Sequence, residues 1–568
     1  MHDGQAPNLP VPVNGPAISR DILELRPDVL VIGGGPAGTW AALTAATSGA
    51  RVVLVDKGYC GTSGATAPSG TGVWYVDPDP VLREEARASR DALGGFLAER
   101  SWMDRVLDQT YENVDRLAAW GYPFPVDESG KQQRRSLQGP EYMRLMRKRV
   151  KAAGVTVLDH SPALELLVDD GEVVGAAGIQ RQSGLRWKAQ AGAVVIATGG
   201  CAFLSRALGC NVLTGDGTLL ATEVGADLSG MEFSNAYGLA PAFASVTKAA
   251  FYRFATFYYA DGRPIPGAGS AHGRSVIAKT LLEQPVYACL DQAPESMRAA
   301  LRAAQPNFFL PFDRRGIDPL TQHFPVTLRL EGTVRGTGGI RITDHTCRSS
   351  VPGLFAAGDA ATRELICGGF TGGGSHNAAW AMSSGYWAGQ GAWAHAQKLG
   401  AHAGTRQGTP AGRASLRPDT DASADTLHSD AIIRGVQDEV FPLDRNWFRT
   451  EQSLSESLSR LHTLWRTVQA RPEQNAHAVV RGREAAAMVA TARFMYASAR
   501  ARTETRGMHK RLDHPQQDAA QHRRLLISDL EQLHVRPESA SRAESPELGA
   551  KAAPVAGASQ ARPVAAAV

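Results

Sequence analysis

The chain has 568 residues, 60 of them basic and 56 acidic, for a net charge of +4, and 43% of its residues are hydrophobic. That length exceeds what one core usually holds, so two or three folded domains are expected, while so small a charge gives no reason to expect nucleic acid or an anionic membrane as partner. The six cysteines form no C-x-x-C pair and no metal-ligand spacing, which predicts no metal or cluster held by this chain; the lack of a basic-then-apolar leader or a membrane-length apolar run predicts a cytoplasmic protein without membrane insertion.

Residues 1–25 read as a flexible N-terminus. The apolar run Asp28-Val29-Leu30-Val31-Ile32 then leads into Gly33-Gly34-Gly35-Pro36-Ala37-Gly38 and the small-residue segment from Thr39 to Ala46, a strand, glycine turn and helix in succession. Glycines at such a turn let the backbone approach a pyrophosphate, which the amides and the positive end of the helix dipole attract. A second apolar run, Arg51 to Val55, ends in Asp56, twenty-three residues after Gly33, where a carboxylate can bind ribose hydroxyls. The pattern predicts a dinucleotide-binding unit.

Further along, Leu164 to Val168 and Val173 to Ala177 flank Asp169-Asp170-Gly171 and predict a hairpin. A buried strand, Ala193 to Ala197, runs into Thr198-Gly199-Gly200, and a similar strand ends at Ala357-Gly358-Asp359. The nucleotide-binding domain is therefore expected in two parts, 26–229 and 341–399, around an aromatic-rich capping domain, 230–340, that would close over a substrate. A polar linker, 400–426, a C-terminal helical domain, 427–535, with apolar spacing such as Leu454, Leu458, Leu461, Leu464 and Trp465, and a disordered tail, 536–568, complete the reading. The fold class is α/β, a Rossmann-like nucleotide domain with an inserted α+β cap and a helical C-terminal domain.

Taken in order, the Gly33 turn, Ser63-Gly64-Ala65-Thr66-Ala67, Ala197-Thr198-Gly199-Gly200, Thr214-Gly215-Asp216-Gly217, Met231-Glu232-Phe233, Gly338-Gly339-Ile340, Ala357-Gly358-Asp359 and the segment Arg502 to His509 resemble the flavoprotein subunit family of succinate dehydrogenase, fumarate reductase, L-aspartate oxidase and adenylylsulfate reductase. The resemblance spans about Asp28 to Asp518. It implies FAD, held by Gly33, Gly35, Pro36, Ala37, Gly38, Asp56, Lys57, Ser63, Gly64, Ala65, Thr66, Ala197, Thr198, Gly199, Asp216, Gly358, Asp359, Asn377 and Ala378. Some relatives attach flavin through a histidine just after the serine; Gly64 stands here, so the implied FAD is noncovalent. The stretch Ser375-His376-Asn377-Ala378 would open a helix whose first amides point at the flavin pyrimidine.

The same resemblance implies a departure at the substrate. Relatives that act on dicarboxylates carry a histidine where this chain has Tyr237, another where it has Val334, and an arginine where it has Gly372. These losses speak against succinate and fumarate. Candidate catalytic residues are His376, whose imidazole can exchange a proton near neutral pH, Tyr237, Arg335, and Arg253 as nearest counterpart of the family's proton-transferring arginine. The expected activity is hydride transfer between a small organic substrate and flavin N5, with electrons exchanged with a ferredoxin-like iron–sulfur partner. Alternatives are an oxygen-using oxidase resembling L-aspartate oxidase, a sulfur-substrate reductase resembling adenylylsulfate reductase, and a flavin-binding redox sensor or scaffold without turnover. The alternating charges from Arg502 to Asp513 read as an ion-pair network.

Overall fold

The computed structural model describes residues 15–127, 129–247, 249–270, 273–371, 373–400, 406–417, 428–468 and 475–539. Gly372, most of the expected linker and tail, and residues 1–14 lie outside these. The centre is a five-stranded parallel sheet in the order Leu354–Ala356, Ala193–Ile196, Val29–Ile32, Val52–Val55 and Thr156–Leu158. Its strands are unbroken apolar runs because both faces are covered: Val29 to Ile32 are at most 4% exposed. One cover is the helix Pro36–Thr47, started by a proline at its first turn. Its small residues allow the long helix Gly373–Leu399 to pack closely, so a Cβ on Gly385 or Gly389 would meet the carbonyl oxygens of Ala37 or Ala41 at 2.4 Å. Larger side chains there would force the helices apart.

The expected hairpin forms between Ala163–Asp169 and Glu172–Ile179. Asp170 and Gly171 both take positive φ, 48° and 74°, as a two-residue hairpin turn requires. This sheet corrects two expectations. Ile22–Leu25, read as flexible, pairs in parallel with Arg186–Gln190, and Thr409–Pro410 of the expected linker adds an edge strand beside Ala163–Asp169. In both cases backbone pairing to an open sheet edge orders a segment whose side chains gave little signal.

A second unit carries the antiparallel sheet Ala236–Pro241, Phe324–Gly332, Val286–Cys289 and Thr256–Tyr258. Its core is separate from that of the parallel sheet and contains the fully buried Val286, Leu290, Phe308, Phe312 and Phe324, each side chain contributing about 1.5–3 kcal/mol by burial. Toward the C-terminus, Glu451–Val468 and Ala476–Ala501 pack through Leu454, Leu458, Leu461 and Trp465, with Leu464 half-buried. Two strands, Leu525–Ser528 and His534–Pro537, also occur there and join Leu228–Ser229 and Gly339–Ile340 in one sheet. The charged segment is paired as its alternation suggested: Arg502 with Glu232 at 2.7 Å and Glu504 at 2.9 Å, Arg506 with Glu504 at 2.6 Å, and Arg511 with Asp513 at 2.8 Å.

Candidate active site

A cavity of about 410 Å³ opens at the carboxyl ends of the parallel strands, the place where α/β sheets bind ligands. Gly33, at φ +113°, begins its wall, and a Cβ there would sit 2.3 Å from the carbonyl oxygen of Ala197. Gly35, Pro36 and Ala37 continue it. No side chain caps the helix Pro36–Thr47, so its first amides remain as donors for an anion. Gly38 lies outside the wall. A Cβ there would fall 1.7 Å from the carbonyl oxygen of Gly33, so its part is to let the helix pack against the turn.

Asp56 lines the cavity and organises its floor. Its Oδ2 accepts from the Gly34 amide at 2.6 Å, and its Oδ1 accepts from the Gly58 amide at 2.7 Å and the Ser63 hydroxyl at 2.8 Å. The carboxylate thus holds the turn and retains acceptor capacity for one further donor on Oδ2. Lys57 beside it donates to Thr214 at 2.7 Å and pairs with Asp216 at 2.8 Å and Glu484 at 2.9 Å. Burial disfavours the Lys57 ammonium, but the two carboxylates outweigh it and raise its pKa. Gly64, Ala65 and Thr66 follow Ser63 along the wall, with Ala197, Thr198, Gly199, Asp216, Gly358, Asp359, Asn377 and Ala378 on the remaining sides.

Asp359 pairs with Arg363, which is almost wholly buried and also donates to the carbonyls of Thr333, Val334 and Gly336. That guanidinium therefore fixes the turn carrying Arg335, the one candidate catalytic residue that lines the cavity. The other three stand elsewhere. Tyr237 is buried, its hydroxyl donating to the Val440 carbonyl at 2.8 Å and its ring 5.5 Å from Trp447, because the C-terminal domain packs over that strand. Arg253 is exposed, with its guanidinium over the Phe254 ring. His376 is 3% exposed behind the wall, its ring 4.4 Å from Trp74 and its Nδ1 3.1 Å from the Ser375 hydroxyl.

Sequence reasoning missed Thr247 and Arg274, which line the cavity from the cap, together with Glu331, which binds Thr247 and Arg335, and the positioning residues Arg363 and Glu484. Arg274 lies in the first turn of Gly273–Leu281 with no motif around it, and only the folded cap turns it toward the cavity. The residues present fit FAD. An anion-receptive helix start, a glycine turn too tight for a side chain, and the buried Oδ1 of Asn377, which lacks a donor although the same side chain donates to Val334 at 3.1 Å, all face one space.

Comparison with known proteins agrees. A family model described as FAD binding domain matches residues 28–237, and one described as fumarate reductase flavoprotein C-term matches residues 443–543. L-aspartate oxidase of Streptomyces coelicolor is 28% identical over 88% of this chain and 91% of its own length. One of the polypeptides of the fumarate reductase (CoM/CoB) of Methanothermobacter marburgensis is 24% identical over 88% of this chain and 97% of its own. The FrdA chain of E. coli quinol fumarate reductase superposes with a TM-score of 0.77 at 20% identity, over 92% of this chain and 98% of that one, which shows a shared fold. With both family segments matched and the first of them lining a cavity suited to the cofactor, the chain belongs to the FAD-dependent flavoprotein oxidoreductases related to L-aspartate oxidase and the fumarate reductase flavoproteins.

Proposed function

We propose that the protein moves a hydride between a small organic substrate held under the cap and noncovalently bound FAD, and that the substrate is neither succinate nor fumarate. The observation that carries this reading is one continuous cavity lined by the glycine turn on one side and by Thr247, Ala249, Ala250 and Arg335 of the cap on the other. When bound, FAD supplies a hydride acceptor or donor at its N5. The first-turn amides of Pro36–Thr47 hold the pyrophosphate, Asp56 and Asp216 take cofactor hydroxyls, and Asp359 is kept in place by Arg363. The start of Gly373–Leu399 stabilises negative charge near Asn377. Arg335 contacts the substrate, and the cap excludes water around it.

Tyr237 and Val334 support the exclusion of succinate and fumarate: the first is committed to the Val440 carbonyl and the second is a buried apolar side chain, so neither supplies a cation. Electron exchange with a ferredoxin-like iron–sulfur protein completes the proposal, as does a cytoplasmic location on the cysteine pattern. Among the described residues no helix is long and apolar enough to cross a membrane. A second reading, discharge of electrons to oxygen, draws on the relative named L-aspartate oxidase, which aligns with most of this chain. Anaerobic mixing of the flavin-loaded protein with a panel of small carboxylates, amines and alcohols tests both. Bleaching of the flavin by a compound other than succinate supports the proposal, and bleaching by succinate alone overturns it; rapid aerobic recovery without a partner favours the oxidase.

A further inference from the structure

Arg363 is 1% exposed, and its guanidinium meets one carboxylate and three carbonyls. Nη1 pairs with Asp359, while Nη2 donates to the carbonyls of Thr333 at 3.1 Å, Val334 at 3.2 Å and Gly336. Asp359 is the one carboxylate paired with this arginine among the described residues. A guanidinium so far from water is costly without such a partner. The pair is polarised across the cavity wall: the Asp359 side chain is 18% exposed and lines the cavity, whereas Arg363 lies behind it and forms no part of the lining. The anionic end therefore stands nearest the cofactor space, with its cation directly beneath.

The same cation reaches a second part of the wall. The Val334 carbonyl that accepts from Arg363 also accepts from Asn377 Nδ2 at 3.1 Å, and Asn377 stands near the start of the helix Gly373–Leu399, where amides favour negative charge. Reduction by two electrons and one proton leaves bound FAD with one negative charge on its ring system. A nearby anion opposes that charge and a nearby cation favours it, and exclusion of water strengthens both effects. Asp359 and Arg363 thus act on the reduced cofactor with opposite signs, and as a pair they offset one another.

We propose that Arg363 sets the reduction potential of the bound flavin: by neutralising Asp359 it keeps the cavity receptive to the charge that reduction adds. Arg363 is a positioning residue that acts through Asp359 and the Val334 carbonyl. This rests on the cavity being the FAD site and on no assignment of the substrate. The test is an equilibrium measurement that needs no turnover. FAD-loaded parent, Arg363→Gln, Asp359→Asn, Arg363→Lys and the double variant Arg363→Gln/Asp359→Asn are reduced stepwise against redox dyes at mildly alkaline pH, following the flavin absorbance. Arg363→Gln leaves an unpaired carboxylate at the wall and is expected to lower the potential; Asp359→Asn leaves an unpaired cation and is expected to raise it. Each shift should be at least tenfold in the reduction equilibrium, about 30 mV for a two-electron couple. The double variant and the charge-keeping Arg363→Lys are expected within that margin of the parent.

A shift of the wrong sign, or none, in either single variant overturns the proposal, because loosening of the wall alone gives no reason for the sign to follow the charge removed. A double variant that stays displaced overturns it as well. Where Arg363→Gln fails to fold or to keep flavin, Asp359→Asn decides: a raised potential supports the proposal, and a lowered or unchanged one overturns it. Unmoved potentials in a protein whose flavin an organic substrate reduces defeat this inference and leave the hydride-transfer reading intact. Potentials that move as expected, with no organic substrate able to reduce or oxidise the flavin, defeat that reading instead.

Discussion

Lys57 Nζ stands 2.9 Å from Glu484 Oε1, so an ammonium in the wall of the flavin cavity is held by the C-terminal helix Ala476–Ala501. The two side chains are 11% and 12% exposed. Folding of the C-terminal domain and shaping of the cavity are therefore linked through one buried charge. Glu484→Gln leaves Lys57 with Asp216 as its one carboxylate and leaves Arg481, which pairs with Glu484 at 3.1 Å, with Asp430. Because Asp216 remains, the cost should be about 1–3 kcal/mol, below the ~3–5 kcal/mol of stripping a buried charge of its only partner. Denaturant unfolding and FAD titration of the variant are expected to show lower stability and weaker FAD binding together. Weaker stability with FAD affinity unchanged would show that the link stops at the domain boundary.

Asp56→Ala should act more directly on the cofactor. It removes the acceptor of two amides and a hydroxyl, those of Gly34, Gly58 and Ser63, and charged acceptors of this kind are worth about 1.5–3 kcal/mol each when lost from a buried site. The glycine turn loses its anchor and, on the proposed reading, the ribose loses its partner. Purified Asp56→Ala is expected to carry far less than one FAD per chain and to bind added FAD at least tenfold more weakly. A full complement of flavin in that variant would remove Asp56 from the cofactor site.

The relation between these residues and the sequence is uneven for a physical reason. Gly33, Pro36 and Asp56 are separated by short, regular elements, so strand, turn and helix periodicity place them before any tertiary contact forms. The hairpin at Asp170 and Gly171 is legible for the same reason. Tyr237 and Arg253 depend instead on how the C-terminal domain and the cap sit on the nucleotide domain, and polar character alone cannot tell a hydroxyl aimed at a substrate from one that satisfies Val440. Arg274 was illegible because its surroundings carry no motif, and Glu484 because its partner Lys57 lies far away in sequence. The ion pairs from Arg502 to Asp513 were legible as pairing, although the burial of Arg502, Glu504 and Glu232 was not.

Tyr237→Phe separates the two readings of that tyrosine. The Val440 carbonyl keeps a second donor, Asn446 Nδ2 at 2.9 Å, so losing the hydroxyl should cost only about 1 kcal/mol. Once a reducing substrate is known, the rate of flavin reduction in the variant is expected within twofold of the parent by stopped-flow absorbance. A tenfold slower reduction in a folded, flavin-loaded variant would return Tyr237 to the reacting centre.

Glu364 should make stability depend on pH in an unusual direction for a carboxylate. It is fully buried, its Oε2 accepts from the Ser229 hydroxyl, and its Oε1 has no donor. Burial, then the charge of Glu232, push its carboxyl up to about 8, against the opposing charges of Arg524 and Arg502. Burial raises Glu232 as well, but Glu232 keeps Arg502 at 2.7 Å, which leaves Glu364 as the place for the proton. In the unfolded chain the same group titrates near 4.5. Between those values the folded state binds a proton that the unfolded state has released, so this contribution to stability is complete below about 4.5 and fades as pH rises to about 8. Glu364→Gln keeps a neutral side chain that still accepts from Ser229, and it removes the titration. Denaturant unfolding from pH 5 to pH 9 is expected to show the variant gaining on the parent by about 2–4 kcal/mol toward the alkaline end, whereas parallel curves would mean that the folded protein holds no proton at Glu364.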